Sequence, residues 1–257
     1  KYGMAGTGVS TDSITQVRDQ YYDEKYWNNQ KNSGQYSKQL YYLQQIEDYF
    51  KDNASVPGFT SIYTQMFSSL DTLKTNAGDS SVRNQFISNA NKLMTYFNGL
   101  GTKLQDLQTA INDEIKTTVD SVNSTAKKIA VLNKQINVIE VQGGHANDLR
   151  DQRALLIDNL SSIIPVEVKE TKVANSNYPD TETGATNFEL KVSGKLVVDS
   201  FDYVPIEITT RDKRYNQSDV DGLYDLKWGD TGERIDMNAS TMTGSLKAMF
   251  DLRDGNN

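Results

Sequence analysis

The amino-acid sequence predicts a mainly α protein with a smaller β part (α+β): an elongated antiparallel bundle of long helices carrying β-hairpins. Three observations carry this. First, Leu104, Leu107, Ile111, Ile115, Val119, Val122, Ala126, Ile129, Leu132, Ile136 and Ile139 recur in steps of three or four. Their mean spacing of about 3.5 residues is that of a seam packed lengthwise on other helices. Second, helix stops at Val56-Pro57-Gly58, Asn76-Ala77-Gly78 and Gly143-Gly144 fold the helical region back on itself. Third, the apolar period drops to two after Pro165. The division that follows is a helical domain over 1–165, a β-rich part over 166–240 and the start of a returning helix over 241–257.

In order along the chain, residues 9–164 read as helix. Ile14, Val17 and Tyr21 begin an apolar stripe, which Tyr36, Leu40, Leu43, Ile46 and Phe50 resume after a polar stretch containing Gly34. A single glycine costs a helix only about 1 kcal/mol, so continuation through it is expected. Phe59, Ile62, Met66, Leu70 and Leu73 form a second stripe. Asp79 should cap a third helix with Val82, Phe86, Ala90, Leu93 and Phe97 on one face. The long helix of the seam then covers 102–141, with one face buried and the Asn, Gln, Thr, Lys and Asp between seam positions wet. A shorter helix with Leu149, Leu156, Leu160 and Ile163 ends before Pro165.

Beyond Pro165, Val166-Glu167-Val168 and Phe188-Glu189-Leu190-Lys191-Val192 alternate, and Ser193-Gly194 turns the second into Leu196-Val197-Val198, a β-hairpin. Val204, Ile206 and Ile208 alternate again. Residues 223–228 and 233–235 flank the turn Gly229-Asp230-Thr231-Gly232. The polar tract 174–187 reads as a loop. Leu246, Met249 or Phe250, and Leu252 predict one more helix, cut off at Asn257.

The chain has 257 residues, 27 Lys plus Arg against 34 Asp plus Glu, and no cysteine. An acidic chain without a basic stripe lacks the clustered cations that phosphate binding needs, which argues against nucleic acid. The same charge argues against an anionic membrane surface, and no apolar run approaches the roughly 20 residues that span a bilayer. Without cysteine there is no thiolate metal site, thiol nucleophile or disulfide, which suits a chain exported unfolded through a narrow channel. It opens on Lys1 with no charged-then-apolar leader, the expectation being a fragment or a processed chain.

Catalytic chemistry finds little footing. His145 is the only histidine and sits in a Gly-Gly-His turn, where a solvated loop residue is expected. There is no zinc-hydrolase helix motif, nucleophile elbow or phosphate-binding glycine loop. Asp219-Val220-Asp221-Gly222 resembles a calcium loop. With Gly222 at the sixth position, however, Gln217 and Trp228 stand where acidic ligands are required, so an exposed turn is expected. No cofactor and no metal are therefore predicted.

Two clusters remain as candidate contact surfaces. In Ala146-Asn147-Asp148-Leu149-Arg150-Asp151-Gln152-Arg153, Asn147 should cap the helix that follows Gly143-Gly144, and Asp148 and Asp151 should sit in its first turn. The charges then read as capping plus a solvated face with a docking role. Tyr21, Tyr22, Tyr26, Trp27, Tyr36, Tyr41, Tyr42 and Tyr49 crowd the first helix. About half should fill the bundle, and the rest, Tyr22, Tyr26 and Trp27 among them, should meet a neighbouring subunit.

The 147–153 motif after a long polar helix resembles the flagellar hook-associated proteins of the FlgK type. Gly6-Thr7-Gly8-Val9 with Ile14 through Arg18-Asp19 is similar to that family's approach to its first long helix. Asp79-Ser80-Ser81-Val82-Arg83 is similar to its capped helix, and Gly244-Ser245-Leu246 to its turn back towards the helical core. The resemblance implies a structural subunit at the hook–filament junction of the bacterial flagellum, exported and extracellular. Its partners would be other copies in a ring, the hook protein and the second hook-associated junction protein, and there would be no catalysis. It also implies that both terminal coiled-coil segments lie outside this central stretch. The two competing readings are a flagellin and a secreted binding module on a helical stalk. The latter predicts an aromatic-lined pocket in the β part.

Overall fold

A computed structural model describes residues 19–175 and 182–255. The expected helix start near Val9, with Ile14, Val17 and the Gly6-to-Arg18 approach, lies outside the described residues. Asp19 caps α1 (Gln20–Tyr49), its side chain accepting from the Tyr21 N–H at 3.0 Å. α2 follows (Phe59–Thr75), then α3 (Ser80–Val141) and α4 (Asn147–Ser161).

α3 is the spine. Asp79 caps it as expected, accepting from the Ser81 N–H at 2.7 Å. The expected break between a third helix and the long one is absent. One helix of 62 residues runs straight through Gly99 and Gly101, about 93 Å at 1.5 Å per residue. Two glycines cost a helix about 1 kcal/mol each, too little to interrupt backbone hydrogen bonding and packing on both sides. The seam is closed between Leu107 and Ile136, while Leu104 and Ile139 at its ends are each 37% exposed.

α1 corrects the sequence reading. Of the predicted apolar stripe, Tyr21, Tyr36, Leu40, Leu43 and Phe50 face outward and only Ile46 packs against the core, while Trp27 and Tyr42 are the residues the helix buries. The choice of face follows from Gly34. A Cβ there would lie 2.0 Å from the Ser162 carbonyl oxygen, so only glycine lets α1 approach the end of α4 this closely. With Gly34 inward, Trp27, Lys38 and Tyr42 turn inward beside it. In α2, Ile62, Met66 and Leu73 are half-buried as predicted, but Phe59 and Leu70 are exposed.

The β part comprises β1 (Glu167–Ala174), β2 (Glu182–Val192), β3 (Lys195–Asp199) and β4 (Asp202–Tyr203) in one antiparallel sheet of that order. β5 (Ile206–Thr210) and β6 (Tyr224–Trp228) pair separately. The Ser193-Gly194 hairpin stands, both residues having positive φ (51° and 83°), which matches the right-handed twist of the strands. Residues 182–187, predicted as loop, are instead the first half of β2. Their polar side chains hide a strand whose alternate members Thr186, Phe188, Leu190 and Val192 are buried. α5 (Ser245–Asp254) packs on α1 and α3. It is not cut off at Asn257: Gly255, in the left-handed region, closes it with its N–H on the Asp251 carbonyl.

One apolar cluster joins the two parts, running from Trp27 and Tyr42 through Ile111–Ile129 of α3 to Phe188, Leu190, Leu226 and Phe250. No described helix is long and apolar enough to cross a membrane.

Candidate functional site

The Asn147-to-Arg153 motif opens α4, but its two arginines do not belong to a solvated face. Arg150 forks onto Glu140 at the end of α3, with Nε and Nη2 each 2.7 Å from a carboxylate oxygen. Its Nη1 reaches Glu170 of β1 at 3.1 and 3.2 Å. Arg153 is buried, with Nη2 on Glu170 at 2.6 Å and Nη1 on Asn133 Oδ1 of α3 at 2.8 Å. Its guanidinium carbon lies 4.2 Å from the Phe188 ring centre. Burial alone would raise the Glu140 carboxyl, but the Arg150 fork outweighs it and holds the group below the usual carboxylate range. Burial pushes the Arg153 guanidinium below its ordinary value despite Glu170. These charges lock α3, α4 and the sheet to one another.

The cap also differs. Ala146 occupies the cap position without a side-chain bond, Asn147 is the first helical residue, and Asp148 is the acidic residue of the first turn. Asp148, Asp151 and Gln152 are exposed, and Asn147 and Leu149 half-buried. Trp27 is 6% exposed and donates its Nε1–H to Asp158 at 2.8 Å. It is an internal contact of this chain, unlike Tyr22 and Tyr26, which are 67% and 46% exposed.

The reading of α3 as wet between its seam positions fails along one row, for a definite reason. Asn137 donates to the Thr186 carbonyl at 2.9 Å and accepts from its N–H at 2.7 Å. Asn123 does the same to Ile206, at 2.8 Å both ways. Gln108 accepts from the Val220 N–H at 2.9 Å, Asn112 accepts from the Tyr224 N–H at 2.9 Å, and Asn133 donates to the Ser200 carbonyl at 2.8 Å. Each side-chain amide offers a donor and an acceptor to groups the packing would otherwise leave unpaired, all of them backbone except at Asn133, whose Oδ1 takes Arg153. The signal in the sequence was the recurrence of Asn, a poor helix former, at near whole-turn spacing.

A second ionic lock, which sequence reasoning missed, closes the other end of the β part. Arg211 reaches Asp225 at 2.7 Å and Asp254 at 2.6 and 3.1 Å. Arg253 grips Asp254 at 2.9 and 3.1 Å while its Nη1 reaches Asn112 Oδ1 and the Tyr224 carbonyl, each at 2.9 Å. Its members lie far apart in sequence, so no local pattern announces it.

The remaining candidates offer no reaction centre. His145 is exposed. In the calcium-like loop Asp221 and Gly222 form the expected exposed turn, with Asp221 paired with Arg214 at 2.6 Å. Asp219 is buried, accepting from the Asn216 N–H at 2.8 Å and from Gln108 at 2.9 Å. Among the described residues, no group of three or more acidic or histidine side chains is placed to hold a metal ion. A groove of about 570 Å³ is lined by Trp27, His145, Arg150, Arg153, Glu170 and Phe188, among others. Its arginines are already engaged by Glu140 and Glu170.

What does face outward is aromatic. Tyr21, Tyr22, Tyr26, Tyr36 and Tyr41 line the outside of α1. Phe59, Tyr63 and Phe67 stack along α2 with centroid spacings of 5.6 and 6.2 Å, and Phe97 of α3 adjoins Phe59 at 5.8 Å.

A family model described as the flagellar hook-associated protein FlgK helical domain matches residues 43–257. The chain belongs to this family. It is 29% identical to flagellar hook-associated protein 1 of Bacillus subtilis over 254 residues, covering 97% of this chain and 48% of the relative. The protein of the same name from Salmonella typhimurium is 30% identical over 168 residues, covering 65% of this chain and 30% of the relative. The structure of the flagellar hook junction protein FlgK from Burkholderia pseudomallei superposes with a TM-score of 0.67 at 19% identity. It covers 91% of this chain and 39% of that protein, and shows the shared fold. The chain thus spans about half, or less, of the length of the curated relatives it matches. In this FlgK-family helical domain, the 146–153 motif acts as an internal lock, and its exposed members Asp148, Asp151 and Gln152 lie beside that lock.

Proposed function

We propose that this chain is the helical portion of a structural subunit of the bacterial flagellum that forms the junction between hook and filament. Membership of the FlgK helical-domain family over residues 43–257 is the observation that carries it. The structure supports a role in contacts: the arginines that could serve chemistry are consumed in two internal locks, and the outward faces of α1 and α2 are aromatic. Aromatic surfaces with polar tips suit protein interfaces. The proposed partners are other copies in a ring, the hook protein and the second hook-associated junction protein, in an exported, extracellular assembly without enzymatic activity. The flagellin alternative loses support, since the family model and the relatives alike carry the hook-associated name. The stalked binding module also loses support: Trp228 of the β part is buried in the core.

Two experiments test this. Deleting the gene should leave hooks with filament protein shed into the medium, and complementation should restore motility; filaments growing normally without it would refute the junction role. Complementation with Tyr22→Ala/Tyr26→Ala should give a stably folded, exported subunit that joins hook and filament less efficiently. Trp27→Ala should instead lower the stability of the isolated chain. Full function from the double-tyrosine variant would remove the α1 face from the contact surface.

A further inference from the structure

The body of the molecule and the α2–α3 hairpin are joined by a bare neck, and we propose that the hairpin is an arm that swings as a unit by bending α3 there. The arm consists of α2 and residues 80–98. Three features of the neck carry the inference. Gly101, Thr102, Lys103, Leu104, Gln105 and Asp106 are all exposed, so α3 runs for more than a turn and a half without a buried residue. Burial resumes at Leu107, where the closed seam begins.

The glycines at the neck have no packing reason. A Cβ at Gly99 or at Gly101 would meet nothing within 4 Å, unlike Gly34, where it would strike backbone. Two of the least helix-favouring residues short of proline therefore stand in a solvent-facing helix, where alanine would fit. Thr102, beside them, donates its hydroxyl to the Asn98 carbonyl one turn back at 3.1 Å, a bond that favours bending.

The second link between arm and body is tied to the arm and would move with it: Asp52 accepts from the Gly58 and Ser61 N–H groups, each at 2.9 Å. Residues 51–57, between α1 and α2, are all exposed. A groove of about 890 Å³ runs along the arm between α2 and α3, with Ile62, Asn84, Ile87 and Asn91 in its lining, and reaches the neck at Tyr49 of α1, Pro57, Gly99 and Lys103. Among the described residues the tethers at the neck are light: Lys103 lies 5.6 Å from the Tyr49 ring centre, and Gln105 donates to the Ser218 carbonyl at 3.2 Å. This inference is independent of the proposed flagellar role, since it concerns the chain in solution.

The absence of cysteine makes the test direct, because two introduced cysteines are the only labelling sites. Spin labels at Ser81→Cys and Asp113→Cys span the neck, and labels at Asp113→Cys and Lys134→Cys lie within the body as a control. The neck-spanning distance distribution should be at least about twice as wide as the control, and Gly99→Ala/Gly101→Ala should narrow it. In hydrogen exchange, the amides of 100–106 should exchange faster than those of 122–132, and each alanine should slow neck opening about fivefold. A neck-spanning distribution as narrow as the control overturns the swinging arm. A broad one that the double alanine leaves unchanged overturns the glycine neck as its origin.

Discussion

Arg153 shows how one side chain can hold several elements. Carried by α4, it binds Asn133 of α3 and Glu170 of β1 and stacks on Phe188 of β2. Without Arg153, Glu170 still pairs with Arg150 and reaches water, but the Asn133 Oδ1 is left buried without its donor. Arg153→Met should therefore lower the unfolding free energy by about 1–3 kcal/mol, read as a shift in urea midpoint. Arg150→Met, at a wetter position, should cost less. Equal stability of parent and Arg153→Met would mean that the lock is dispensable. The second lock makes a pH prediction. Burial would raise the Asp254 carboxyl, but Arg211 and Arg253 outweigh it and hold it below the ordinary carboxylate range. A group depressed in the folded state contributes stability above its unfolded pKa of about 4. That contribution is lost as the pH falls through the lower folded value. The urea midpoint should drop on acidification across that window, and Asp254→Asn should start lower at pH 7 and lose less below pH 4. An unchanged acid slope in Asp254→Asn would assign the loss to other carboxylates.

Elements differed in how much of themselves they wrote into the sequence. The seam of α3, the Asp79 cap, the Ser193-Gly194 hairpin and α5 were legible because each rests on local periodicity or turn chemistry. α1 was legible as a helix but not in its orientation: its outer row is as apolar as its inner one, and a tertiary contact at Gly34 decides between them. The 146–153 motif was visible as a motif, yet its partners Glu140, Glu170 and Asn133 could be known only from the fold. Polar composition concealed the first half of β2, because Asn137 supplies from another element what an edge of water would have supplied. The orientation of α1 is testable at Gly34. Gly34→Ala places a methyl against the Ser162 carbonyl and should destabilise by about 1–3 kcal/mol, as overpacking does. This is the reverse of the gain normally expected for Gly→Ala in a helix. A gain in thermal midpoint would show that α1 and α4 can separate at little cost.

Across the whole molecule, apolar surface divides into a closed region and an open one. From Leu107 to Ile136 the seam is enclosed by α1, α4, α5 and the β part, with Ile115, Val119, Ile129 and Ile136 at zero exposure. At its ends, and along the outer faces of α1 and α2, apolar side chains meet solvent: Leu104, Ile139, Tyr36, Leu40, Phe59 and Phe67 are each more than a third exposed. Such faces are where the proposed assembly would add cover. They fit a family whose members extend well beyond the stretch matched here. The division has an energetic consequence. Truncating a fully packed aliphatic residue loses its transfer energy and opens a cavity, so Ile129→Ala should cost about 2–5 kcal/mol. At Leu104 and Ile139 part of the side chain is already in water and the site is open to collapse. Alanine there should cost well under about 2 kcal/mol. Urea titration of the three variants decides it. A loss at Leu104 equal to that at Ile129 would mean that the seam is closed along its full length, and that its ends are no part of the open surface.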